Sequence, residues 1–355
     1  MTILSSGRDA ADSVGRMRAL ILHGPRDLRL QDVADPTPGP GEVVVQVEYA
    51  MTCATDAKIL RNGRHPALPD PPTPFGHEVT GRVAAVGAGV SSHVVGDAVV
   101  VANSAPCGDC FACRRERPSL CESLVYLWGT FAERVLVPAR IVAVNMLPRP
   151  AQLDPRLAAM IEPLACAIHG VERSEATAGD TVVIVGGGVQ GQFLTACLAR
   201  RGCEVIVCDP HPDRRERAMR FGAMSALDAP RDDAGARTTR AETPGGRGAD
   251  VVFEAVGRPE TWQIAVALAR PGGEVNLYGG CPLGSTVTFP TETLHYSELR
   301  LQGSYHHTPQ AVREALALLT DSAAPFAELV GEPVGLAEVA TVLAESGVKR
   351  PVVPT

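Results

Sequence analysis

From Met17 to about residue 150, short β-rich apolar runs alternate with clusters of Pro and Gly. MRALILH, GEVVVQVEYA, EVTGRVAAVG, DAVVVA and ERVLVPA each have the length of a single strand, and the turn residues between them predict an irregular β domain. The stretch DPRLAAMIEPLACAIHGVERS then reads as helical, and beyond it the texture changes. Apolar runs TVVIV, EVIVCD, DVVFEAV and GEVNLYGG alternate with the helix-length segments QFLTACLARRG, DRRERAMRFGA and TWQIAVALARP, the order that builds a parallel α/β sheet. The polar, Gly-rich run from Asp232 to Gly248 reads as a mobile loop. Past Thr308 a helix (QAVREALALLTD), a strand-like ELVGEPV and a last helix (LAEVATVLAES) close the chain. Residues 1–16 are polar and lack an apolar period, so ordered structure is expected from Met17 after a loose leader.

A length of 355 residues suggests two domains, and 45% hydrophobic with 21% charged residues is ordinary for a folded soluble chain. The 33 Lys plus Arg against 40 Asp plus Glu leave a net charge of -7, the wrong sign for neutralising phosphate backbones, so nucleic acid is not an expected partner. No apolar stretch reaches the roughly 18 residues of a membrane span, and the N-terminus lacks a signal peptide's apolar core. A cytoplasmic location is the expectation. Ten cysteines in such a chain point to metal ligands and small buried hydrophobes before a disulfide framework.

Three constellations carry chemistry. After the strand TVVIV come Gly186, Gly187, Gly188, Val189, Gln190 and Gly191, a G-x-G-x-x-G run opening a helix. There Gly186 turns the chain, Gly188 admits a pyrophosphate to the backbone, Gly191 lets helix pack on strand, and the helix start offers free N–H groups. Eighteen residues after Gly191 the next strand ends in Asp209, where a carboxylate accepts bonds from a ribose diol and repels a 2′-phosphate. NAD is therefore favoured over NADP. Arg214 and Arg215 follow closely on a helix-like segment, with Arg214 placed to stack on adenine.

The second constellation is C-x2-C-x2-C-x7-C at Cys107, Cys110, Cys113 and Cys121, four thiolates spaced for one tetrahedral ion. A closed thiolate shell leaves no position for substrate, so this reads as structural zinc. A dispersed set of Cys53 in CATD, His77 and Glu78 in GHEV, and Glu162 in EPLAC gains meaning beside a nucleotide fold.

The order CATD, GHE with VTGRVAAVG, the four-cysteine lobe, GTFAE, EPLAC, GGGVQG and FEAVG resembles the zinc-dependent medium-chain alcohol dehydrogenase family, of the sorbitol and threonine dehydrogenase type, from Met17 to Thr355. The resemblance implies an α/β fold: a GroES-like β domain over residues 17–171 and 309–355 and a Rossmann doubly wound parallel sheet over 172–308. It implies Cys53 and His77 as ligands of a catalytic zinc, with Glu78 or Glu162 as the carboxylate that completes the set. It also brings Val256 of FEAVG to the cofactor. Three protein ligands and one open position let Zn2+ polarise a substrate oxygen and depress its pKa. Thr55 then carries the proton outward, and Asp56 accepts an N–H bond from His77.

Lys58 stands where many relatives carry a relay histidine, and GSYHHT from Gly303 to Thr308 stands where polyol-acting relatives often carry an arginine. His306 and His307 are placed to face the domain cleft or to lie on a solvated turn. The function implied is hydride transfer between NAD and a secondary alcohol of a polyol, cyclitol or sugar derivative, or its ketone. L-threonine oxidation and a catalytically silent NAD-binding relative are the alternatives. A homo-oligomer, dimer or tetramer, is expected from the same resemblance.

Overall fold

The computed structural model describes residues 15–321, 323–343 and 348–354. The leader expected over residues 1–16 falls mostly outside them, and the first strand begins at Arg16.

Strand Arg16–Gly24 pairs antiparallel with Asp27–Ala34 and Thr73–Pro74. A seven-stranded sheet runs Met146–Pro148, Ala98–Val101, Val79–Val86, Val43–Met51, Pro351–Val353, Val334–Gly335, and Arg134–Val137 also pairs with Val43–Met51. Its core gathers Val45, Val79, Val99, Phe75 and Phe131 with Val339 and Val352 from the far end of the sequence. The chain thus returns to its first sheet at the C-terminus, and Pro351 registers against Met51.

Between these segments lies a six-stranded, wholly parallel sheet in the order Ser225–Leu227, Glu204–Cys208, Thr181–Val185, Ala249–Glu254, Ala269–Leu277, Arg300–Gly303. The order reverses between Thr181–Val185 and Ala249–Glu254, the switch point at which doubly wound sheets bind nucleotides. Alternation decides the packing. Val182 and Ile184 join one apolar cluster with Phe193 and Leu198, while Val183 and Val185 join another with Ile264 and Leu268, so both faces are covered. Helix Ile161–Arg173 packs Leu164 and Ile168 into a cluster that also holds Met51 and Val100 from the seven-stranded sheet, which ties the two sheet systems together.

Four expectations need correction. The run Asp232 to Gly248 holds helix Asp233–Ala241 and a short turn at Pro244–Gly246, where a mobile loop was expected. Asp232 caps the helix by accepting from Gly235 N at 2.8 Å, Ala236 and Thr239 are buried, and Arg240 donates to the backbone oxygens of Ala267, Ala269 and Arg247. The single helix expected from DPRLAAM onward is two, Pro155–Ala158 and Ile161–Arg173. The strand-like ELVGEPV divides into a 3-10 turn, Phe326–Leu329, and the two-residue strand Val334–Gly335; of the last helix, Leu336–Glu338 is 3-10 and Val339–Val342 α, and residues 344–347 lie outside those described. Among the described residues no helix is long and apolar enough to cross a membrane.

Candidate active site and metal centres

Cys53 caps helix Ala54–Asn62 in extended backbone (φ -131°, ψ 150°), and its N–H donates to Asp56 Oδ2 at 3.1 Å. The other oxygen of Asp56 lies 2.8 Å from His77 Nδ1, with both side chains buried. Asp56 therefore serves the helix cap and the imidazole at once, and leaves Nε2 directed away from it. His77 and Glu78 follow Gly76, whose φ of +92° and whose backbone, packed so that a Cβ would fall 2.7 Å from Thr130 Oγ1, admit only glycine. GHE and GTFAE are thus pressed together, and the ring of Trp128 stands edge-on to His77 at 5.5 Å.

One ligand atom from each of Cys53, His77 and Glu78 falls within 4.8 Å of the others. Burial pushes the Cys53 thiol up, but the Lys349 charge and the His77 contact outweigh it and bring it down to about 7. Burial pulls His77 down, and the Asp56 carboxylate together with the Cys53 sulfur more than reverses that. Lys349 is buried behind Glu78, with Nζ 2.7 Å from each carboxylate oxygen and 2.8 Å from Thr52 O.

Glu162, buried in the first turn of helix Ile161–Arg173, lies near enough for the charges of Glu78 and His77 to act on it, but its ligand atom belongs to a second group. Its carboxylate groups with His306 and His307, again within 4.8 Å, and accepts from Cys166 Sγ at 3.5 Å. His306 is bonded to Ser104 Oγ, and His307 Nε2 lies 3.0 Å from Asn103 Oδ1. Burial and neighbouring imidazoles push His306 well below the usual histidine range, and burial with His169 takes His307 down to about 3.

On helix Ala54–Asn62, Thr55 is half-buried and Lys58 is exposed. Lys58 Nζ donates to Gly280 O at 3.0 Å, across to the loop after strand Ala269–Leu277.

The glycine loop lies at the switch point. Gly188 is the N-cap of helix Val189–Arg200, and a Cβ on Gly191 would fall 1.9 Å from Gly186 O, so helix and loop close up only with glycine there. Gln190 bonds to Pro163 O and receives Tyr278 OH at 2.6 Å, which anchors the helix start to the segment carrying Glu162. Asp209, buried at the end of strand Glu204–Cys208, accepts from Gly187 N at 2.8 Å and from His211 N at 2.8 Å, with Arg214 Nη1 3.6 Å away. Arg215 donates to Asp209 O, and Val256 is partly exposed beside the loop, its N–H held by Glu254.

Cys107, Cys110, Cys113 and Cys121 converge, with Sγ separations of 4.0 Å (Cys107 to Cys113), 3.9 Å (Cys110 to Cys121) and 3.5 Å (Cys107 to Cys121). Thiolates about 2.3 Å from one ion at tetrahedral angles stand about 3.8 Å apart, so the four fit zinc as they lie. The backbone N–H groups of Cys107 and Cys110 point at Cys121 Sγ and Cys107 Sγ, the donors a thiolate shell requires.

Two neighbours of the site have no local signal in the sequence: Lys349, an isolated lysine in VKRP, and Trp128, a lone aromatic before GTFAE.

Residues 39–148 match the family described as Alcohol dehydrogenase GroES-like domain, and residues 190–321 the family described as Zinc-binding dehydrogenase. The erythritol/L-threitol dehydrogenase of Mycolicibacterium smegmatis is 31% identical over 88% of this chain and 90% of its own length. The L-threonine 3-dehydrogenase of Pyrococcus horikoshii is 34% identical over 73% of this chain and 74% of its own. A Sinorhizobium meliloti 1021 protein classed as a zinc-binding dehydrogenase and solved bound to NADP superposes with a TM-score of 0.85 at 32% identity, over 96% of this chain and 100% of that one.

Proposed function

The chain belongs to the zinc-dependent medium-chain alcohol dehydrogenase family, and from that premise we propose that it interconverts a secondary alcohol of a polyol, cyclitol or sugar derivative and its ketone, with NAD as hydride acceptor. It is an oxidoreductase that works with zinc and a nicotinamide cofactor on a small-molecule alcohol. The observation that carries the finer reading is the convergence of Cys53, His77 and Glu78 within 4.8 Å, a thiolate, imidazole and carboxylate donor set suited to zinc with one position open. Bound zinc supplies Lewis acidity to the substrate oxygen, and bound nicotinamide supplies the hydride acceptor.

In this reading Cys53, His77 and Glu78 hold the metal, and Glu162 faces the substrate side. Asp56 accepts a hydrogen bond from His77 Nδ1–H and so keeps the Nε2 lone pair free for the metal. Thr55 Oγ1 passes the alcohol proton toward solvent. Lys58 donates to the ribose hydroxyls, because an ammonium at neutral pH has no lone pair with which to act as base. Gly186, Gly188, Val189, Gln190 and Gly191 cradle the pyrophosphate, with Val256 and Arg214 bordering the cofactor. Cys107, Cys110, Cys113 and Cys121 hold a structural zinc. Residues 17–171 with 309–355 form the catalytic domain, and 172–308 the cofactor domain. Strand Arg300–Gly303, at the edge of the parallel sheet, is the surface through which we expect copies of the chain to associate as a dimer or tetramer.

NAD preference rests on Asp209, whose buried carboxylate would meet a 2′-phosphate. NADP is the second reading, favoured by the cofactor of the Sinorhizobium meliloti protein and by Arg214 and Arg215 beside Asp209. Turnover of zinc-loaded protein on polyols, simple secondary alcohols and L-threonine, with each nicotinamide, decides these points. A polyol as best substrate, with kcat/KM for NAD at least about tenfold above NADP, supports the proposal. L-threonine as best substrate, an NADP preference, or no turnover at all each contradicts it.

A further inference from the structure

His306 adopts φ +63°, a left-handed conformation costly for a residue with a Cβ, and its half-buried ring has several packing partners. Tyr305 stacks on it at 5.5 Å and 29°, His307 lies at 4.1 Å, Tyr126 at 5.7 Å, and Ser104 Oγ bonds its Nε2. A solvated turn histidine needs no such packing. The position is built, and it brings the imidazoles of His306 and His307 to the Glu162 carboxylate, all three ligand atoms within 4.8 Å. The charges of Glu78 and His77 act on Glu162, so the assembly lies beside the Cys53, His77 and Glu78 set without sharing a member with it.

The chemistry of the cluster is mixed. Each imidazole offers a nitrogen that donates and one that accepts, Glu162 accepts, and Ser104 does either. Hydrogen bonds and ring contacts of the two imidazoles run to Ser104, Asn103, Tyr126 and Tyr305, none of them a cation. Lys349, the ammonium nearest the site, is taken up by Glu78 and Thr52 O. A hydroxyl, itself donor and acceptor, matches such a set. A substrate carboxylate would meet the carboxyl group of Glu162, which cannot pair with it as a cation would.

Resting on the proposed function, we propose that Glu162, His306 and His307, with Ser104, form a subsite for the hydroxyl next to the reacting carbinol, and so select neutral vicinal diols over mono-alcohols and hydroxy acids. His306 and His307 are specificity-determining residues in this account. They take no part in hydride or proton transfer.

The test compares kcat/KM of the zinc-loaded enzyme on vicinal butanediol, sec-butanol and beta-hydroxybutyrate. The wild type is expected to favour the diol over sec-butanol by about tenfold or more, the worth of one or two hydrogen bonds, and to use the hydroxy acid least. In His306→Leu the diol to mono-alcohol ratio falls about tenfold, mainly through KM for the diol. His306→Asn, which tolerates the left-handed backbone and keeps a polar group, holds the ratio within about threefold of wild type. Equal loss on both alcohols in His306→Leu overturns the subsite and leaves the proposed function standing, whereas no diol preference in the wild type overturns the subsite and the polyol substrate of the proposed function together. A preference for the hydroxy acid overturns the subsite as well. No turnover of any of the three compounds overturns the proposed function and the subsite together. A third zinc or manganese ion per chain, lost in His306→Leu, assigns the cluster to a cation and overturns the inference.

Discussion

Lys349 Nζ stands 2.7 Å from both carboxylate oxygens of Glu78, with both side chains buried, although 271 residues separate them. The pairing of Pro351–Val353 with Val43–Met51 makes this possible, since Pro351 opposite Met51 sets Lys349 beside the backbone of Thr52. The ammonium offsets one of the negative groups crowded around His77 and restrains the carboxylate that the proposed zinc site uses.

Removing that ammonium strands a buried carboxylate. Lys349→Met is expected to lower the unfolding free energy by about 3–5 kcal/mol, with Lys349→Arg retaining most of it. Urea unfolding followed by circular dichroism measures both, and a loss below about 1 kcal/mol in Lys349→Met would show that the pair contributes little.

In the four-cysteine lobe helix Phe111–Arg114 buries no residue, Phe111 and Leu120 are exposed, and the four Sγ atoms converge. Cys107→Ser is expected to remove one zinc ion per chain by elemental analysis and to lower Tm by several degrees, because metal binding there contributes folding free energy. Loss of the ion at unchanged Tm would contradict a structural role.

Lys58 Nζ reaches Gly280 O from an exposed position on the helix that follows Cys53. A group that borders the cofactor and handles no proton should show itself in binding. Lys58→Ala is expected to raise KM for NAD about three- to tenfold with kcat within about threefold, whereas Thr55→Val lowers kcat by about a hundredfold. If Lys58→Ala abolishes turnover and removes an ionisation from the kcat profile, the lysine is the base.

Acid lability follows from His169, buried in helix Ile161–Arg173, where burial and the charges of Arg173 and Arg117 hold it down to about 4. An unfolded histidine takes up a proton near pH 6.5, so the unfolded chain gains a proton that the folded one refuses until about pH 4. The contribution is complete above pH about 6.5 and is lost as pH falls, with a ceiling of about 1.4 kcal/mol per pH unit that solvent screening reduces. His307, pushed to about 3, adds in the same direction. His169→Gln should flatten the fall in unfolding free energy between about pH 6.5 and 5, and an unchanged slope would refute the assignment.

What the sequence disclosed was chemistry carried by neighbours in the chain. The four cysteines within fifteen residues, the glycine run followed by Asp209, and the adjacent His77 and Glu78 each carry their spacing with them. Contacts made by chain return carry none. Lys349 is a single lysine in VKRPVV, and nothing local ties it to Glu78. The two carboxylates Glu78 and Glu162 looked equivalent in sequence; their separation, one beside Cys53 and His77 and the other beside His306 and His307, depends on how helix Ile161–Arg173 lies between the sheets. Helix Asp233–Ala241 was hidden for a different reason. Its buried face is the small Ala236 and the polar Thr239, so no apolar run marks it, and the cap at Asp232 and the bonds of Arg240 to distant carbonyls hold it in place.

The central claim is that an alcohol gives up hydride to a nicotinamide at a zinc held by Cys53, His77 and Glu78. The most direct measurement is nicotinamide reduction by wild type and Cys53→Ser on the same secondary alcohol, with zinc content determined on the same samples. The account predicts two zinc ions in the wild type, one in the variant, and a loss of turnover of at least about a thousandfold with the four-cysteine ion retained. A Cys53→Ser protein that lacks the second ion and still reduces the cofactor at the wild-type rate would contradict it.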